Sequence, residues 1–209
     1  MGICGGPLTF AVGHFALGYL TGKGSSRYLK VKANLPLLFT ASILPDVDLI
    51  LRFLHHRGPT HSLITITMLM LPFLLVYRKA AVPYFAALLS HSLIGDFFTG
   101  GVELFWPLSA NWYGALNIDV TSFTNVSIEL ILFIVSLALI LRTGDLQTLL
   151  RPDNRNMVLF VAFGAVLGPM LQVGRGFEYA LPPLLMIPSP FYLVVFSYSM
   201  IVSLRTRLK

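Results

Sequence analysis

Residues 122–141 read SFTNVSIELILFIVSLALIL, twenty residues with Glu129 as the one ionisable group and Arg142 directly after them. About 20 apolar residues in a helix cross the hydrocarbon core of a bilayer, so this stretch reads as a membrane span and decides the fold class. The other residues of the 209-residue chain have the same character. They bring the total to 56% hydrophobic and only 11% charged, with a mean hydropathy of +0.77. Soluble domains carry roughly 25% charged residues. A water-soluble globule is excluded, and 16 Phe and 8 Tyr among so few charges exclude a disordered chain. Cys4 is the single cysteine, so no intrachain disulfide can form.

Six further apolar runs flank this one. The seven are Pro7 to Leu20, Leu35 to Leu54, Ser62 to Tyr77, Ala81 to Phe98, Ser122 to Leu141, Met157 to Val173 and Pro183 to Leu204. They predict an all-α polytopic membrane helix bundle of about seven spans. Several runs are nearer 16 residues than 20, which predicts short, broken or re-entrant helices. Pro182, Pro183, Pro188 and Pro190 lack N–H donors and predict an irregular entry to the last span. No histidine follows residue 121. The chain therefore divides into a chemically loaded part, 1–121, with four spans and an outer loop, and an apolar three-span part, 122–209, with Arg142 to Asn156 as a cytoplasmic link. No basic residue precedes Lys23, so no cleavable signal is expected. The opening Met-Gly-Ile-Cys has Gly where an acylation signal needs Ser or Thr at position 6.

The net charge of +6 and pI of about 9.7 invite comparison with nucleic-acid binders, but the basic residues are scattered between apolar runs and form no stripe. No nucleic-acid partner is expected. Placement by loop explains them better. With the amino terminus outside, the cytoplasmic breaks hold Lys23, Arg27, Lys30, Lys32, Arg78, Lys79, Arg142, Arg151, Arg155, Arg205, Arg207 and Lys209, twelve of the fifteen, leaving Arg52, Arg57 and Arg175 outside. The positive-inside bias selects that orientation, with the carboxyl terminus in the cytoplasm of an inner or plasma membrane.

His14, His55, His56, His61 and His91, with Asp46, Asp48 and Asp96, all precede residue 97. Ionisable groups in lipid are costly and face a cavity or a partner. In the expected topology four spans bring them to one level near the outer face. Pro45 disfavours regular helix before it, and the acids at i and i+2 in Leu44-Pro45-Asp46-Val47-Asp48 meet only where helical geometry is lost. His91 and Asp96 are five residues apart, about 140° around an ideal helix, and share a site only if the turn at Gly95 distorts. Each residue also has a plainer reading: His14 in helix packing, His55 in a solvated loop, His61 as a helix cap, Asp46 and Asp48 as helix breakers, His91 with Asp96 as a hydrogen-bonded pair. Glu103, Asp119, Glu129 and Glu178 are assigned to the outer surface. Taken together, mixed imidazole and carboxylate ligands suit a divalent metal, zinc first, with manganese or iron as alternatives. Arg57 would hold an anionic substrate oxygen.

His14 with Gly18 one turn on, Leu-Pro-Asp-Val-Asp (44–48), His-Arg-Gly-Pro-Thr-His-Ser (56–62) and Ser-His-Ser-Leu-Ile-Gly-Asp (90–96), followed by Thr99, Gly101, Trp106 and Pro107, form a familiar series. It resembles the membrane-bound metal-dependent hydrolase family, also described as LexA-binding, inner-membrane-associated hydrolases, over roughly residues 8 to 108. The resemblance implies an integral membrane protein with a metal centre, distantly similar to zinc-dependent phospholipase C. Carried over, the metal-site positions are His14, Asp46, Asp48, His56, His61, His91 and Asp96. His55 has no counterpart in the motif, and Leu49 stands where many members carry a further histidine.

These readings lead to a hydrolase of an ester or phosphoester in a lipid-like membrane substrate, acting near the outer leaflet. Asp48 would be a bridging ligand or general base and Arg57 the anion holder. A transporter using the same polar residues and a tether for a cytoplasmic protein partner are the competing classes, the last with no support in the residues themselves. In a Cys4→Ser background, a cysteine replacing Asn111 is expected to react with an impermeant maleimide in intact cells, and one replacing Thr143 only after permeabilisation. The opposite pattern would invert the orientation.

Overall fold

Short polar residues start three of the helices, and a glycine ends one of these. Asn34 accepts a hydrogen bond from the Leu37 N–H, Ser62 from those of Ile64 and Thr65, and Ser122 from that of Asn125, each satisfying a donor that a helix start leaves orphaned. Gly144 ends its helix at a φ of 72°, in the left-handed region that glycine enters freely. The computed structural model describes residues 10–51, 53–116, 118–172 and 181–208. Cys4, Arg52, Arg175, Glu178, Lys209, the start of the first predicted span at Pro7 and the end of the sixth at Val173 lie outside them.

The described residues are helical, with one isolated antiparallel bridge between Val102 and Tyr113 and no strand. In chain order the helices are α1 (Ala11–Tyr28), α2 (Leu35–Ile43), α3 (Leu63–Tyr77), α4 (Val82–Ser90), α5 (Phe97–Thr99), α6 (Phe123–Thr143), α7 (Asp145–Leu149), α8 (Leu159–Leu171) and α9 (Pro188–Arg207). The expected all-α membrane bundle is what forms. Four continuous helical segments are long and apolar enough to cross a bilayer: Leu63–Ala80, Phe123–Thr143, Asn154–Leu171 and Pro183–Arg207. Two of the other three predicted spans are interrupted. α2 gives way after nine residues to a 3-10 helix at Leu44–Leu49, and α4 to a π-helix at His91–Asp96. α1 extends eight residues past its predicted end and carries Lys23 and Arg27. The proline-rich entry to the last span is a 3-10 helix, Pro183–Met186, and the predicted cytoplasmic link holds α7.

α1 lies at the centre, packed against α2, α4 and α6, with Phe15, Ala16 and Tyr19 fully buried. Between lipid-embedded helices little hydrophobic drive remains, and close packing with satisfied polar groups does the holding. A Cβ at Gly18 would sit 2.1 Å from that of Ser42 on α2, and one at Gly22 would sit 2.2 Å from Leu38 Cδ1. The backbone of α1 at these glycines therefore packs directly on the Ser42 and Leu38 side chains of α2. On the other side, Phe15 meets Tyr192 and Phe196 of α9 edge-on, with ring centroids 4.9 and 5.4 Å apart.

The assignment of Glu129 to the outer surface is corrected. Its side chain is buried between α6 and α1, and it accepts hydrogen bonds from Phe10 N–H at 3.2 Å, Gly13 N–H at 3.1 Å and Asn125 Nδ2 at 2.9 Å. Phe10 has no side chain able to cap α1, so a carboxylate from another helix caps it, on the face where Gly13 leaves room. Glu103 is likewise buried and pairs with His55 at 3.0 Å, whereas Asp119 is exposed as expected. Gly18→Val is expected to cost about 1–3 kcal/mol by forcing α1 from α2. Thermal unfolding in detergent measures it, and an unchanged midpoint would contradict the backbone contact.

Candidate metal centre

Three local departures from α-helix create the centre. The 3-10 helix at Leu44–Leu49 points Asp46 and Asp48 in different directions, and both reach His61 from opposite sides of its ring. His61 ends a one-turn 3-10 helix, Pro59–His61, that leads into α3. The π-helix at His91–Asp96 is the distortion expected at Gly95. With hydrogen bonds closing five residues on, i and i+5 come to one face, so His91 and Asp96 share a site. A Cβ at Gly95 would lie 2.5 Å from His14 Cε1, so glycine also makes room for that ring.

Four acceptor atoms converge. His61 Nε2 lies 3.1 Å from His91 Nε2, 3.4 Å from Asp46 Oδ1 and 3.1 Å from Asp96 Oδ2. His91 Nε2 lies 3.3 Å from Asp46 Oδ1 and 3.2 Å from Asp96 Oδ2. The far nitrogens set the tautomers. His91 Nδ1 donates to the Ser42 carbonyl at 2.7 Å, and His61 Nδ1 faces Thr60 Oγ1 at 3.0 Å and Asp48 Oδ2 at 3.2 Å. With both Nδ1 atoms carrying the proton, both Nε2 lone pairs point at the carboxylates, an arrangement that calls for a cation between them.

The donor set fits a divalent metal. Tetrahedral bonds of 2.0–2.1 Å place ligand atoms about 3.3 Å apart, and the two Nε2 atoms lie 3.1 to 3.4 Å from each other and from both carboxylates. Asp46, His61, His91 and Asp96 are thus one group with metal-ligand spacing. Asp48, His56 and His61 are a second, built on the Nδ1 side of His61. Of the first group only Asp46 is open to solvent, with 14% of its side chain exposed, so any approach is past this carboxylate.

The remaining predicted residues surround these four. Asp48 stands behind His61, where its oxygens accept from His56 Nδ1 at 3.0 Å, the Thr60 hydroxyl at 2.7 Å and Arg57 N–H at 3.2 Å. It organises the turn that carries both histidines, in which Arg57 holds a φ of 63°. His56 is the more open imidazole, 20% exposed at its side chain, and its Nε2 has no hydrogen-bond partner among the described residues. Arg57 is buried, with Nη2 donating to Asp96 Oδ1 at 2.9 Å and Thr99 Oγ1 at 3.1 Å. A Cβ at Gly100 would lie 2.6 Å from its Nη1. Its guanidinium is thus turned inward, where it anchors a candidate ligand. His14 stacks on His91 with centroids 3.7 Å apart and rings 15° from parallel, and its Nε2 is 3.8 Å from Asp96 Oδ1, outside the four-atom set.

Sequence reasoning passed over three participants: the Ser42 carbonyl, Thr60 and Thr99. Thr60 and Thr99 lie inside or beside the quoted motifs, so their position was a usable signal. A backbone carbonyl carries none. The loop after α5 is tied to the start of α3, next to His61, since the Leu63 N–H donates to the Leu104 carbonyl at 3.0 Å and the Ser62 hydroxyl to that of Trp106 at 2.6 Å.

Comparison with known proteins agrees with a membrane location. Residues 9–176 match the model of the YdjM inner membrane protein family, and the chain belongs to that family. No curated protein and no solved structure matches it.

Proposed function

We propose that this YdjM-family inner membrane protein is a metal-dependent hydrolase of an ester or phosphoester bond, with a lipid-like substrate. The observation that carries the reading is the convergence of Asp46, His61, His91 and Asp96, whose ligand atoms lie within 4.8 Å of one another. A divalent ion held there, zinc by preference, would polarise an ester or phosphoryl oxygen and lower the pKa of a water admitted as a further ligand on the open side at Asp46. The chain's own residues supply the rest. Ser42 and Asp48 fix the two imidazole tautomers, Arg57 and Thr99 hold Asp96, and His14 supports the His91 ring. Asp46 and His56, the two partly open members, face the approach of substrate. Basic residues at one end of each long helix and their absence from the other support an outer-leaflet position for the centre.

Elemental analysis of the detergent-purified protein tests the centre. Bound divalent metal is expected in wild type and absent in His91→Ala and Asp46→Ala, while Asp48→Asn weakens affinity roughly 10- to 100-fold through His61 and His56. A metal-free wild type, or full occupancy in His91→Ala, would overturn the reading. A screen of lipid phosphates and long-chain esters with and without chelator tests the chemistry, and metal-dependent flux into liposomes with no ester turnover would favour a transporter instead.

A further inference from the structure

At the end of the bundle away from the His/Asp cluster, two turns share an unusual make-up. The turn after α1 reads Tyr28-Leu29-Lys30-Val31-Lys32, and the turn after α3 reads Tyr77-Arg78-Lys79. They are neighbours, because the Asn34 N–H donates to the Tyr84 hydroxyl at 2.7 Å, joining the end of the first turn to the start of α4, just past the second. Lys30, Lys32, Arg78 and Lys79 are all exposed, and among the described residues no carboxylate pairs with any of them. The sequence has no acid before Asp46 and none between Asp48 and Asp96. Lys23, nearby on α1, is different: Asp145 neutralises it at 2.5 Å.

Backbone conformation adds a second observation. Lys30 has a φ of 56°, and Arg78 has φ 50° with ψ −124°. Both are helix-ending positions where glycine is favoured, yet each holds a long cation. Tyr28 is 86% and Tyr77 61% exposed, and tyrosine beside a cation is the composition of the membrane–water interface.

We propose that these two turns form a binding site for anionic phospholipid headgroups, the four cations engaging phosphate oxygens and the two tyrosine rings lying at headgroup level. Each cation near such a surface adds to the attraction for anionic lipid, so four uncompensated ones select anionic over zwitterionic lipid.

Lipid retention by the full-length protein, washed from mixed micelles of equal phosphatidylglycerol and phosphatidylcholine, tests the site. Wild type is expected to retain phosphatidylglycerol selectively, and the combined variant Lys30→Gln, Lys32→Gln, Arg78→Gln, Lys79→Gln to lose at least roughly tenfold of that retention. Arg205→Gln with Arg207→Gln, at the same end on α9, is expected to retain most of it. The pair Lys30→Gly and Arg78→Gly separates binding from folding: it relieves both backbones, so the unfolding midpoint rises while lipid retention falls. Equal retention of the two lipids by wild type, unchanged retention in the four-residue variant, or displacement of the lipid by millimolar inorganic phosphate would each overturn the proposal.

Discussion

Two imidazole nitrogens and two carboxylate oxygens converge on one point, and with both Nδ1 atoms as the protonated ones their lone pairs repel, so the rest of the structure is arranged to keep them there. Water cannot relieve the repulsion, because His61, His91 and Asp96 are sealed from solvent. In such surroundings every polar atom left without a partner is expensive, which explains the density of contacts behind the four residues. Ser42 takes the outer proton of His91, Asp48 and Thr60 that of His61, and Arg57 with Thr99 balances Asp96. Remove the requirement for convergence and there is little reason for a buried arginine, a π-helix and a 3-10 helix to occur together in one region.

α1 ties this region to the remainder of the bundle. Its glycines allow contact with α2, its His14 lies flat against His91, and its start is capped by Glu129 from α6. At the far end the Tyr19 hydroxyl donates to Asp145 at 2.7 Å, an acid that also pairs with Lys23. The helix most central to the fold is therefore fixed at both ends by carboxylates from the half of the chain that carries no histidine. Second-half helices contribute packing and caps to a cluster whose own residues lie entirely in the first half.

Much of the fold is legible in the sequence. Apolar runs separated by polar breaks marked the membrane helices, and Pro45 and Gly95 marked the two places where helical geometry fails. Glu129 was misplaced because a lone acid near the start of an apolar run looks the same in sequence whether it faces headgroups or a neighbouring helix. Its burial depends on α1 supplying orphaned N–H groups there. For the same reason Arg57, an apparent anion holder in the motif, is seen to face Asp96 only once residues 39 positions apart are brought together.

Composition and periodicity by themselves determined that this chain is a membrane helix bundle, and position along the chain that its five histidines and three of its nine acids precede residue 97. The first property follows from the cost of polar groups in lipid, which acts on every residue locally. The tertiary structure decided which of the seven singled-out positions share a point. Asp46, His61, His91 and Asp96 do, whereas Asp48, His56 and His14 stand around them. That division depends on the side from which each ring nitrogen is approached, and ring orientation is set by partners such as the Ser42 carbonyl and Asp48 that only folding brings alongside.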